Sequence, residues 1–181
     1  MEEVQRDKVS EYLLRMRKLG REQFLLSYPH PVLLENYSAP SSRVRLGRVE
    51  TISEAGNEDG LAGMEIAVGE DILEALVISL EKTDVSSSER MIFVGRSVNN
   101  DIVLRNERVS KLHAYFCQIP GSQVYQVVDM SSTNGTFVNG DMVSPSVKTN
   151  LTDGDELSFG PGTNLKFYSA AGFYELLTRL D

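Results

Sequence analysis

The sequence predicts a mainly β chain: a β-sandwich of short antiparallel strands, preceded by a helical N-terminal extension and closed by a short C-terminal helix. Three observations carry this prediction. From Leu76 to Tyr168, short apolar runs alternate with turn residues, and no helical period intervenes. Val9, Tyr12, Leu13, Met16 and Leu19 recur at spacings of three and four, the stripe of an amphipathic helix. Phe173, Leu176, Leu177 and Leu180 repeat that spacing at the other end.

Taken in order, residues 1–40 form the helical extension. Gly20 ends or weakens the first helix, because glycine gives up the most backbone freedom on ordering. A second apolar block, Phe24 to Leu26, runs into Pro29 and Pro31, which stop further helix, before Val32, Leu33 and Leu34. These apolar residues either dock on the neighbouring domain or offer a helical surface to a second partner. Residues 41–73 form an acidic linker or β-hairpin. Val44, Leu46, Val49 and Ile52, then Met64, Ile66 and Val68, flank a turn from Glu54 to Gly60. That turn lacks the ligand spacing of an EF-hand, so its carboxylates read as a solvated turn.

Residues 74–169 form the sandwich. Its strands are expected at Leu76 to Leu80, Met91 to Val94, Ala114 to Ile119, Val124 to Val128, Thr136 to Val138, Glu156 to Phe159 and Leu165 to Tyr168. Asn139-Gly140 is the strongest hairpin signal, since both residues tolerate the positive φ of a type I′ turn. Cys117 falls in the strand alternation of Tyr115 and Ile119 and reads as a strand residue. The run Ser86 to Ser88 reads as a hairpin connection. Residues 170–181 form the closing helix, free to pack against the first.

Composition removes several function classes. The 181 residues leave room for one good core plus an extension. With 18 Lys and Arg against 26 Asp and Glu, the net charge is −8, which disfavours nucleic acid and anionic membrane as general partners. No apolar run approaches a membrane span, so membrane insertion is not expected. A single cysteine and an N-terminus without an apolar stretch point to the cytoplasm. Two histidines and one cysteine give no metal signature, and no cofactor is expected.

Chemistry concentrates between the strands. From residue 96 to 111, Arg96, Arg105, Arg108 and Lys111 face only Asp101 and Glu107, a cationic island in an acidic chain. Arginine forks match phosphate geometry, lysine adds a point charge, and the Ser110 and Thr133 hydroxyls supply further donors. These are the parts of a phosphate clamp, unless the bases simply pair with surface carboxylates. Ser110, His113 and Asp129 invite a hydrolase reading, but Ser110 has no nucleophile-elbow sequence around it.

Gly95-Arg96, Asn100-Asp101-Ile102, Val109-Ser110 with His113, and Ser132 through Gly140 together resemble the forkhead-associated (FHA) family. The resemblance spans about Leu76 to Tyr168. It implies an FHA-like sandwich with Greek-key-type loops that bind phosphothreonine in an extended peptide. By resemblance, Arg96, in the loop after the second strand, Ser110, Lys111 and Thr133 would contact phosphate. Lys111 stands where the family often has Asn or a base. Asn134 would bond the peptide main chain, and Arg108 would choose the residue three positions after the phosphothreonine. Gly95, His113 and Gly135 would support the loops. The function implied is a non-catalytic module that binds a phosphothreonine-containing protein or peptide after an upstream Ser/Thr kinase has acted. The alternative is a phosphate-independent scaffold using the N-terminal extension. The segment Phe24 to Pro31 also resembles leader segments of bacterial members, which points to a bacterial source.

Overall fold

The computed structural model describes residues 6–35, 70–83 and 91–181. The expected hairpin from Val44 to Val68 and the run Ser86 to Ser88 lie outside the described residues.

Among the described residues, eleven strands and three helices follow in the order α1 (Val9–Ser27), β1 (Val32–Glu35), α2 (Glu70–Leu73), β2 (Leu76–Ser79), β3 (Ile92–Gly95), β4 (Ile102–Val103), β5 (Ala114–Gln118), β6 (Tyr125–Asp129), β7 (Thr136–Val138), β8 (Asp141–Met142), β9 (Thr149–Asn150), β10 (Glu156–Phe159), β11 (Asn164–Tyr168) and α3 (Ala170–Leu180). They build two sheets, in the orders β2-β1-β11-β10-β7-β8 and β4-β3-β5-β6-β9. Neighbours run antiparallel except β3 and β4, which pair in parallel through Val94 with Ile102 and Gly95 with Val103. The strands that periodicity missed, β4, β8 and β9, have two residues each, too short to display a period.

The sandwich core gathers alternate residues from both sheets, among them Leu33, Ile78, Val94, Ala114, Phe116, Val127, Leu157, Phe159, Leu165 and Phe167. A second core lies on the other face of the six-stranded sheet. Val32 and Leu34 of β1 and Val77 of β2 there meet Val9, Leu13, Met16 and Phe24 of α1 and Phe173 and Leu177 of α3. The run Val32, Leu33, Leu34 is therefore apolar on both faces, the pattern of a strand covered on each side. The sequence counts these residues with the helical extension. The structure threads them through the sheet between β2 and β11, with Leu33 opposite Ile78 and Phe167.

Gly20 interrupts α1 as expected, at φ +70° outside the helical region, and a second helical stretch follows the kink and buries Phe24. The two helices then pack together, with Tyr12 edge-on to Phe173 at 5.4 Å and Arg21 within 3.6 Å of Glu175. The stripe Val9, Leu13, Met16 is spent on this internal contact and is buried. Residues 7–9 continue the sheet past β2, since Val77 N–H donates to Asp7 at 2.8 Å and Val9 N–H to Ala75 at 3.0 Å. That covers an otherwise open strand edge. Asn139 and Gly140 both take positive φ, 53° and 88°, and turn β7 into β8 as expected. Cys117 lies half-buried in β5, where burial pushes its thiol pKa up. No helix among the described residues is long and apolar enough to cross a membrane.

Candidate functional site

Antiparallel pairing of β3, β5 and β6, with β7 and β10 opposite, brings four connections to one end of the sandwich. These are residues 96–101, 104–113, 130–135 and 160–163. Backbone bonds tie them to one another. Arg96 N–H donates to Ser110 at 3.0 Å, Ser97 N–H to Lys111 at 3.2 Å, and Met130 N–H to His113 at 2.9 Å.

Gly95, the last residue of β3, makes the first of these approaches possible. A Cβ there would stand 2.4 Å from the Lys111 carbonyl oxygen, a distance no side chain tolerates. Asn100, buried, completes the joint by donating Nδ2 to the carbonyls of Ser97 at 2.8 Å and Lys111 at 2.6 Å. The sequence reading quotes Asn100 but gives it no work, because nothing local distinguishes a buried loop asparagine from an exposed one.

His113 is fully buried and braces two loops at once. Its Nδ1 accepts the Ser110 N–H at 3.0 Å, and its Nε2 lies 3.1 Å from the Gly135 carbonyl. That pair of partners requires the neutral ring with the proton on Nε2. Burial pushes its pKa below the ordinary value, against the opposing pull of the Gly135 carbonyl and the Asp129 charge. The Gly135 carbonyl also accepts Gly160 N–H at 3.0 Å, and Gly135 holds φ +78°.

Asp129 ends β6 with a buried carboxylate. Burial pushes its pKa up, but the Ser132 hydroxyl at 2.6 Å, the Thr136 hydroxyl at 2.7 Å and the Ser132 N–H at 3.0 Å outweigh this and hold it below the usual range. It thus shapes the 130–135 loop. These bonds also settle the hydrolase arrangement: His113 takes the Ser110 backbone N–H, not its hydroxyl, so Ser110 has no base.

On this frame stand the polar groups that face solvent. Ser110 Oγ accepts the Thr133 N–H at 3.0 Å and lies 3.3 Å from Thr133 Oγ1. Exposed Asn134 donates Nδ2 to the Arg108 carbonyl at 2.7 Å. Arg96, Arg108 and Lys111 are all exposed. Among the described residues, none of Arg96, Arg105, Arg108 and Lys111 pairs with a carboxylate. The structure thus brings together Gly95, Arg96, Arg108, Ser110, Lys111, His113, Thr133, Asn134 and Gly135. Gly160, which the sequence reading passes over, joins them. At φ +72°, a Cβ there would fall 2.9 Å from the Arg108 carbonyl and 3.1 Å from Asn134 Cβ. Its signal is buried in the Gly160-Pro161-Gly162 turn, where three turn formers look alike.

One more carboxylate supports the site from behind. Asp101 accepts Phe93 N–H at 2.8 Å, Thr83 N–H at 3.0 Å, the Thr83 hydroxyl at 2.8 Å and Lys82 Nζ at 3.0 Å. Burial opposes ionisation here, yet these donors lower its pKa to about 2.

The family model described as FHA domain matches residues 92–160. The glycogen accumulation regulator GarA of Mycolicibacterium smegmatis is 32% identical over 121 residues, covering 64% of this chain and 70% of that protein. An oxoglutarate dehydrogenase inhibitor of Corynebacterium jeikeium is 44% identical over 66 residues, covering 36% of this chain and 42% of that protein. Among solved structures, Mycobacterium tuberculosis EmbR in complex with a low affinity phosphopeptide is 28% identical over 44% of this chain and 20% of that chain, with a TM-score of 0.40.

Proposed function

We propose that this chain, which belongs to the forkhead-associated (FHA) domain family, is a non-catalytic reader of phosphothreonine that recruits a partner protein after a Ser/Thr kinase has marked it. One observation carries the reading. Arg96, Arg108 and Lys111, without carboxylate partners among the described residues, stand in the hydrogen-bonded loops that carry the Ser110 and Thr133 hydroxyls, in a chain whose net charge is −8. Unpaired cations held at the rim of rigid loops suit a small dianion, and a protein-bound phosphate is one.

In this reading Arg96 and Lys111 neutralise the phosphate, and Ser110 and Thr133 donate their hydroxyls to it. Asn134, already donating one amide hydrogen to the Arg108 carbonyl, uses its remaining donor and its carbonyl on the peptide main chain. Arg108 favours an acidic residue three positions after the phosphothreonine. Two relatives bear the names of a regulator and an inhibitor, which fits a chain that acts by binding. The competing scaffold reading uses the N-terminal extension, where Val9, Leu13 and Met16 of α1 already lie against α3 and the sheet, which leaves less of its apolar surface to a partner.

The test is titration calorimetry against degenerate phosphothreonine, phosphoserine and unphosphorylated peptide pools. Charge-assisted hydrogen bonds contribute about 1.5–3 kcal/mol each, so Arg96→Ala is expected to weaken phosphothreonine binding at least about tenfold. Equal binding of the unphosphorylated pool, or wild-type affinity in the variant, refutes the reading.

A further inference from the structure

The connections that hold the candidate phosphate site also carry apolar side chains that nothing in the fold uses. Val98, Leu112 and Met130 stand 62%, 42% and 39% exposed, one in each of the three loops that meet at Ser110. Backbone and side-chain bonds fix the order of these loops along one segment. The segment from Arg108 to His113 starts beside Asn134, passes Thr133 at Ser110, passes Ser97 at Lys111, and ends beside Met130 at His113. Along this segment Leu112 follows Ser110 as Arg108 precedes it, Val98 adjoins in sequence the Ser97 that bonds Lys111, and Met130 bonds the His113 carbonyl. Single exposed apolar residues are ordinary, but three in hydrogen-bonded neighbouring loops at one candidate site call for an occupant.

Resting on the phosphothreonine reading above, we propose that Val98, Leu112 and Met130 form a second subsite that takes an apolar side chain of the same phosphorylated partner. Its occupant is set by continuity. A chain extended across Ser110 advances about 3.3 Å per residue, so a ligand residue one to three positions from the phosphothreonine reaches Leu112. With Arg108 serving the C-terminal side of the ligand, the apolar residue precedes the phosphothreonine. The site would then read a composite ligand: an aliphatic or aromatic residue, then phosphothreonine, then an acid.

The experiment is selection from a phosphothreonine-fixed peptide library with degenerate flanks, using the full chain and the double variant Val98→Ser, Leu112→Ser. The wild type is expected to enrich Leu, Ile, Val, Met or Phe at one of the three preceding positions. The variant is expected to lose that enrichment while still rejecting the unphosphorylated library. A peptide with Leu at the selected position should bind the variant about tenfold more weakly than the wild type, and its Ala counterpart equally well to both. Flat preference at the preceding positions in the wild type, or enrichment retained by the folded variant, overturns the subsite and leaves phosphothreonine reading intact. Wild-type indifference to phosphate sinks both, as does binding to phosphatidylserine vesicles in place of peptide.

Discussion

Replacing His113 by alanine removes the brace under Ser110 without touching any group proposed to contact ligand. Three losses follow from the geometry. The half-buried Ser110 N–H loses its acceptor, at a cost of about 1–3 kcal/mol for an unpaired donor. The Gly135 carbonyl keeps Gly160 N–H, so it loses only the net value of one bond, about 1 kcal/mol. The space left beside Phe159, whose ring stands edge-on to the imidazole at 5.6 Å, adds about 1–2 kcal/mol for incomplete collapse. His113→Ala is therefore expected to destabilise the chain by about 4 kcal/mol in urea unfolding followed by circular dichroism. Phosphothreonine binding, measured where the variant remains folded, is expected to fall about tenfold as Ser110 loses its fixed position. The wild type should also lose stability as pH falls below about 6.5, because the unfolded chain protonates this ring first and the folded one later. The variant should lack that component. A loss under about 1 kcal/mol would show that the two ring bonds do not hold the loops. Lost binding with unchanged stability would show that His113 meets the ligand itself.

Two further outcomes follow from neighbouring contacts. Asp101→Asn removes a carboxylate whose folded pKa is about 2 against an ordinary 3.8, so at neutral pH it should cost about 2 kcal/mol. Because a depressed acid stabilises only while ionised, the gap between wild type and variant in urea unfolding should narrow steadily from pH 4 downward, and a gap that stays constant refutes the assignment. Gly95→Ala sets a Cβ against the Lys111 carbonyl, and backbone cannot step aside as a flexible side chain can. It should lower the melting temperature and weaken phosphopeptide binding together, by about 1–3 kcal/mol in stability; a variant with wild-type melting and affinity contradicts the close approach.

The sandwich was legible because its longer strands announce themselves twice, in apolar alternation and in turn residues such as Asn139-Gly140. The candidate site drew attention as a charge anomaly, four bases in a stretch of an acidic chain. What stayed hidden depends on where a side chain ends up. Asn100, Asp101 and Gly160 are ordinary loop residues by type, and only the folded arrangement turns the first into a bridge, the second into a fourfold acceptor and the third into a close approach. Val32 to Leu34 stayed grouped with the extension for a different reason. Their strand partners lie far along the chain, in β2 and β11, and no local signal marks a pairing made at that distance. Gly20 shows local propensity at work, since its backbone leaves the helical region there and a second helical stretch follows that buries Phe24.

The position of β1 governs how the chain is made. Val32 to Leu34, apolar on both faces, are made well before β2 and longer still before β11, the two strands they pair with. Until Leu165 and Phe167 arrive, the first sheet has a gap where its middle should be. Pairing over so long a stretch of chain closes slowly, and the waiting strand is the segment most open to wrong partners. A shortened chain carrying only residues 92–160 would keep the loops of Arg96, Ser110 and Thr133 but lose β1, β2 and β11 together. The pairing of β1 with β11 therefore closes the longest loop in the six-stranded sheet, and α1 and α3, which flank these two strands, come together when it forms.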